Sequence, residues 1–151
     1  MSESIEFFIS GTPKSWKAPQ FNRKTGSVYK GKQEKAWQES VWGQAMPYKP
    51  ETPWAGPVFL NVTFFLPIPR SWPKWKQEMA RLHKGYPMGK PDRTNLLKAF
   101  EDVLTGLFYR DDAQIVTGWV GKTYEDERGP GVAVALEKLP GLPDHKPKET
   151  Q

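Results

Sequence analysis

Residues Lys90 to Gln114 read KPDRTNLLKAFEDVLTGLFYRDDAQ, and they hold the most specific chemistry in this chain. Asp92 stands just before an amphipathic helix, Lys98 one turn inside it, and the pair Asp111-Asp112 follows after the chain turns back. Carboxylates on either side of a cation are what metal-assisted attack on a phosphodiester requires. Hard oxygen ligands with no His or Cys nearby favour Mg²⁺ or Mn²⁺ over zinc, because Mg²⁺ takes one or two carboxylates, keeps several waters and binds substrate phosphate for the rest. Lys98 would counter phosphate charge as a mobile point cation, and the helix N-terminus would offer free N–H groups to an anion. Such a site closes only if the segment after Gly106 returns along the helix and carries the acidic pair to Asp92.

Each of these residues also has a plainer use. Asp92 or Thr94 would cap the helix, Lys98 with Asp102 would make an i,i+4 surface pair, and Asp111-Asp112 would make a turn. His83 and His145 lie outside any ligand spacing. The joint occurrence is what is uncommon.

The helix that must position the site is expected over Asn95 to Thr105, with Leu96, Phe100, Val103 and Leu104 as its apolar stripe, Leu97 alongside, and Gly106 as its C-terminal cap. At 100° per residue, Asn95, Lys98, Ala99 and Asp102 fall on the side opposite that stripe, so packing does not demand their polar identities. A strand over Ile5 to Ser10, with Ile5, Phe7 and Ile9 inward, ends at Gly11-Thr12-Pro13. The loop from Lys14 to Lys32 interleaves Trp16, Phe21 and Tyr29 with Lys14, Lys17, Arg23, Lys24, Lys30 and Lys32, and Lys24 to Ser27 reads as its turn. Those six cations are DNA-binding candidates beside aromatics that would stack bases; the alternative is a solvated loop whose aromatics pin it to the core.

A helix is expected over Gln33 to Ala45 with Trp37 and Val41 inward, then a connection with four prolines up to Pro57, then a strand over Val58 to Leu66 apolar on both faces. Lys74 to His83 reads as a short basic helix with Trp75 and Met79 on its inner side. Ile115 to Tyr124 and Gly131 to Leu139 read as strands pairing in a hairpin through the acidic turn Glu125 to Pro130. Together these elements predict an α+β fold: a single domain with a small mixed β-sheet covered by helices, spanning residues 1–139, followed by a disordered tail at 140–151.

Composition agrees with one domain of 151 residues, and 15 Pro with 13 Gly imply many turns. No run approaches the roughly 18 apolar residues of a membrane span. The start MSESIEFFIS lacks a basic segment followed by an apolar one, and there is no cysteine, so a cytoplasmic protein is expected. Charge is unevenly spread: 8 Lys/Arg against 4 Asp/Glu in residues 1–50, 8 against 3 in 51–100, and 6 against 10 in 101–151. A basic surface around a local carboxylate cluster suits a polyanion partner.

The runs Lys90-Pro-Asp-Arg-Thr-Asn-Leu-Leu-Lys-Ala and Tyr109-Arg-Asp-Asp-Ala-Gln-Ile-Val resemble the RusA-type Holliday junction resolvases, endodeoxyribonucleases of phages and prophages, and the strand ending Gly11-Thr-Pro with its basic loop resembles that family's start. The resemblance implies a RusA-like fold and a homodimer that uses Mg²⁺ (or Mn²⁺) to place symmetric nicks in a four-way DNA junction during recombination and repair. It implies Asp92 and Asp112 as metal ligands and Lys98 as the catalytic cation. Asp111 is a further ligand candidate, and Thr94, Asn95 and Asp102 have supporting roles. Thr94 stands where the family carries a second aspartate. That departure keeps a second reading open, a non-catalytic or weakly active branched-DNA-binding protein, and a third, a metal nuclease preferring flaps.

Overall fold

The computed structural model describes residues 3–18, 20–29 and 31–149, with the side chains of residues 20, 21, 28 and 29 left aside. In order along the chain the elements are β1 (Ser4–Ser10), β2 (Gln20–Phe21), β3 (Val28–Tyr29), α1 (Lys32–Ala45), β4 (Val58–Leu66), α2 (Lys74–Arg81), α3 (Arg93–Leu104), β5 (Ile115–Tyr124) and β6 (Gly131–Lys138). One-turn 3₁₀ segments follow α1 at Met46–Tyr48 and precede β5 at Asp112–Gln114. The α+β class expected from the sequence is the one observed.

The main sheet has the order β1-β6-β4-β5. Its centre is β4, because VFLNVTFFL carries apolar side chains on both faces and such a strand needs neighbours on both edges. It pairs antiparallel with β6 and parallel with β5. The expected β5–β6 hairpin therefore does not form: β4 lies between the two strands. The segment from β4 through α2 and α3 to β5 is long enough to return the chain to the same edge of the sheet and make the parallel pair, which lays α3 on one face. The turn after β5 then carries the chain past β4, and β6 lies between β1 and β4, antiparallel to both. Gly118 has a left-handed φ of 151° opposite Leu60, and a Cβ there would collide with the Leu60 carbonyl, so the β4–β5 pairing needs glycine at this point.

The core lies between this face and the helices. Phe7, Ile9, Val58, Leu60, Val62 and Phe64 pack with Trp37, Val41 and Ala45 of α1 and with Leu96, Ala99, Phe100 and Leu104 of α3. Phe100 meets Phe64 edge-on at 5.9 Å and Trp37 at 6.2 Å, so it joins sheet and both helices. Ala99, expected on the polar side of α3, is fully buried. The reason is α1, which covers that flank: Gln38 Nε2 donates to the Ala99 carbonyl at 2.9 Å.

Two further expectations are corrected. The Lys14–Lys32 loop contains the small β2–β3 hairpin, turned by Asn22, whose Oδ1 accepts from the amides of Lys24 and Thr25. In α2 it is Ala80 that is buried, while Trp75 is 66% and Met79 44% exposed. This eight-residue helix faces the fold on a narrow edge, and Trp72 just ahead of it provides the aromatic contact instead, edge-on to Tyr124 at 5.6 Å. Residues 140–149 have no helix or strand and are mostly exposed. No helix among the described residues is long and apolar enough to cross a membrane.

Candidate functional site

Helix α3 starts at Arg93, two residues earlier than its apolar periodicity suggests, because Pro91 and Asp92 are held in place from outside the helix. Lys122 of β5 donates to the carbonyls of Gly89 at 2.5 Å and Pro91 at 3.0 Å, and the Trp16 amide donates to the Asn95 carbonyl at 2.9 Å. Asp92 is the N-cap residue, extended at φ −68° and ψ 141°, yet its side chain makes no capping bond. Its carboxylate is exposed and free for another partner at the positive end of the helix.

Asp92 and Asn95 open into a pocket of about 1030 Å³ walled by Lys14, Lys17, Lys32 and Lys90. Trp16 lines the same pocket, and the Lys98 ammonium sits 3.5 Å above its ring. The loop after β1 thus holds Lys98 by a cation–π contact. Of the remaining cations expected to meet DNA, Arg23 and Lys24 are exposed on the β2–β3 turn, and Lys30 lies outside the described residues. Thr94 is exposed on the first turn of α3.

The acidic pair is divided in its use. Asp111 accepts from the Ala113 amide at 2.8 Å and forms a capping box with Gln114, whose Oε1 accepts from the Arg110 and Asp111 amides. Its carboxyl is held below the usual carboxylate range by the Ala113 amide first and by the Asp112 carboxyl next to it second. The turn role therefore occupies Asp111, while Asp112 remains exposed.

Asp112 stands with Glu101 and Asp102. The Glu101 carboxyl is pushed up to about 7, by burial first, then by the charges of Asp112 and Asp102. Next to it, burial pushes the Tyr109 phenol up, and its hydroxyl donates to the Glu101 carbonyl at 3.2 Å. This acidic group is near the C-terminal end of α3; ten residues of helix separate Asp92 from Asp102, about 15 Å of rise. Asp92 and Asp112 consequently flank a strip of α3 on which Thr94, Lys98 and Asp102 follow at i,i+4 spacing. Among the described residues, no group of three or more His, Asp or Glu side chains is gathered closely enough to hold a metal ion.

The donors at the helix start fit a hard cation in kind: carboxylate and amide oxygens, with no His or Cys in the pocket. Two acidic residues went unnoticed in the sequence, Glu101 and Glu34. Glu34 lines the pocket that holds Asp92, only 4% exposed, and neither of its carboxylate oxygens has a hydrogen-bond partner. The available signal was its place on the inward stripe of α1, in phase with Trp37, Val41 and Ala45.

Glu101 supports a pH prediction. Its folded pKa is raised above 4.5, so the stability it contributes is full below about 4.5 and is lost as pH rises through about 7. Glu101→Gln is expected to raise the melting temperature above about pH 8 by roughly 2–4 °C and to flatten the decline between pH 5 and 8. Carboxyl NMR of Asp112→Asn should show Glu101 titrating lower than in the wild type. An unmoved titration would mean that Asp112 does not face Glu101.

Comparison with known proteins assigns this architecture. A family model described as endodeoxyribonuclease RusA matches residues 10–137. An uncharacterized protein of Bacillus subtilis (strain 168), YqaN, is 31% identical over 141 residues, covering 91% of this chain and 98% of that protein. With Asp92, Lys98 and Asp112 on and around one helix, and the match spanning β1 to β6 almost entirely, the chain belongs to the RusA endodeoxyribonuclease family.

Proposed function

We propose that this protein is a Mg²⁺-dependent endonuclease, with Mn²⁺ able to substitute, that resolves four-way DNA junctions by paired nicks in strands of like polarity. The observation that carries the reading is the uncommitted Asp92 carboxylate at the start of α3, inside a lysine-walled pocket, in a chain of this family. A homodimer suits the substrate, because a junction offers two equivalent strands and a two-fold dimer brings one site to each. The reading extends to a cytoplasmic, phage- or prophage-encoded role in recombination and repair, with residues 1–139 as the nuclease domain and 140–151 as a tail outside it.

In this reading Asp92 is the metal-holding carboxylate at the helix start, Lys98 is the catalytic cation, and Asp112, expected from the sequence as a second ligand, acts with Glu101 and Asp102 at the other end of the strip. A hard divalent ion, when bound, makes a coordinated water more acidic and offsets charge developing on phosphoryl oxygens. Asp92 and Asn95 contribute oxygen donors at the helix start. Lys98, steadied by Trp16, neutralises the strand phosphate, and Lys14, Lys17 and Lys32 draw the backbone into the pocket. Arg23 and Lys24 extend that basic track along the β2–β3 hairpin, and Lys30 is the sixth DNA-binding candidate. Asp102 and Glu101 flank Asp112, and Glu101 is able to hold or release a proton near neutral pH. Such contacts read backbone shape rather than base sequence.

The test is nicking of a synthetic four-way junction in Mg²⁺, compared with the linear duplex of the same sequence. Paired nicks that disappear with chelator are expected, and Lys98→Ala should slow them by about 10²-fold or more. Equal cleavage by wild type and Asp112→Asn would sink the assignment. Thr94, exposed where the family carries its second aspartate, favours a second reading, a branched-DNA-binding protein with little or no cleavage. Salt-sensitive junction binding without nicking, unchanged in Thr94→Asp, would select that one.

A further inference from the structure

We infer that Glu34 of α1 supplies a carboxylate ligand to the divalent cation at the start of α3, making up with Asp92 the charge that Thr94 does not provide. The inference rests on the nuclease reading above for the identity of the cation. Independently of that reading, the Glu34 carboxylate is almost wholly buried and has no hydrogen-bond partner on either oxygen. Burying an unpaired carboxylate is costly, and such groups are ordinarily paired or bound to a metal. Lysines line the same pocket, yet none among the described residues bonds to Glu34.

The register of the two helices determines what Glu34 faces. Gln38 bonds to Ala99, Gln33 and Glu34 line one pocket with Asp92 and Asn95, and Trp42 lines another with Val103, so the two helices advance in the same direction. One turn before Gln38 is Glu34, and one turn before Ala99 is Asn95. Glu34 therefore enters the pocket beside Asn95, at the end of α3 that Asp92 begins. Two carboxylates, an amide oxygen and room for water match how Mg²⁺ is commonly held.

The experiment is titration of the purified full-length protein with Mn²⁺ alone, without DNA, following the free aqueous ion by electron paramagnetic resonance. Wild type is expected to bind Mn²⁺, Glu34→Gln and Asp92→Asn to bind at least about 10-fold more weakly, and Glu34→Asp to fall between. Mn²⁺ should raise the melting temperature of the wild type and leave that of Glu34→Gln unmoved. Equal Mn²⁺ affinity in wild type and Glu34→Gln, or no binding by the wild type, overturns the inference. Should Glu34→Gln not fold, Glu34→Asp decides, and wild-type affinity there together with loss in Asp92→Asn overturns it as well. Nicking is read separately: Mn²⁺ binding that depends on Glu34 in a protein that never nicks a junction rejects the nuclease reading and leaves this inference standing.

Discussion

Asp92→Asn is expected to reduce metal-dependent nicking of a four-way junction by at least about 100-fold. The substitution removes one negative charge and almost no volume. Asp92 is exposed at the N-cap position, and its side chain takes no part in capping, so nothing in the fold depends on the charge. Asparagine is also as good an N-cap residue as aspartate, and the stability change should stay within about 0.5 kcal/mol. A large loss of cleavage with an unchanged melting temperature and retained junction binding would place the effect on chemistry. Cleavage within a factor of a few of wild type would remove Asp92 from the site and with it the reading of the pocket.

Phe100→Ala is expected to destabilise the protein by about 3–5 kcal/mol in urea unfolding. Phe100 is fully buried, meets Phe64 edge-on and lies against Trp37. Its removal opens a cavity where β4, α1 and α3 converge, three elements that are unable to collapse independently. The loss extends to function, because the same contact sets how α1 stands against α3 and hence where Glu34 meets Asn95. Phe100→Leu, which keeps most of the volume, should cost far less. A loss under about 1 kcal/mol for Phe100→Ala would mean that the core refills from neighbouring side chains.

Most elements were legible because they rest on local patterns. The apolar, aromatic run of β1 ended by Gly11-Thr12-Pro13, the double-sided apolar run of β4 and the 3.6-residue stripe of α3 are each readable without reference to the rest of the chain. Errors arose where a distant partner decides the outcome. The β5–β6 hairpin is a sound local reading of two strands and a turn, but β4, more apolar than either, takes the place between them. Ala99 reads as part of a polar flank until α1 covers it, and Trp75 reads as inward until α2 is found to turn only Ala80 toward the core.

The site divides along the same line. By itself the sequence determined which residue types stand on and around α3, the resemblance to RusA resolvases that they carry, and the apolar stripe that leaves Thr94, Lys98 and Asp102 outside the packed face. Only the tertiary structure decided which of them share a space: Asp92 with the pocket lysines and Glu34 at one end of the helix, Asp112 with Glu101 and Asp102 at the other, and Asp111 in its own turn. Periodicity records which way a side chain points on its own element. Convergence of side chains depends on helix register and strand order, which long-range packing sets and no local spacing encodes.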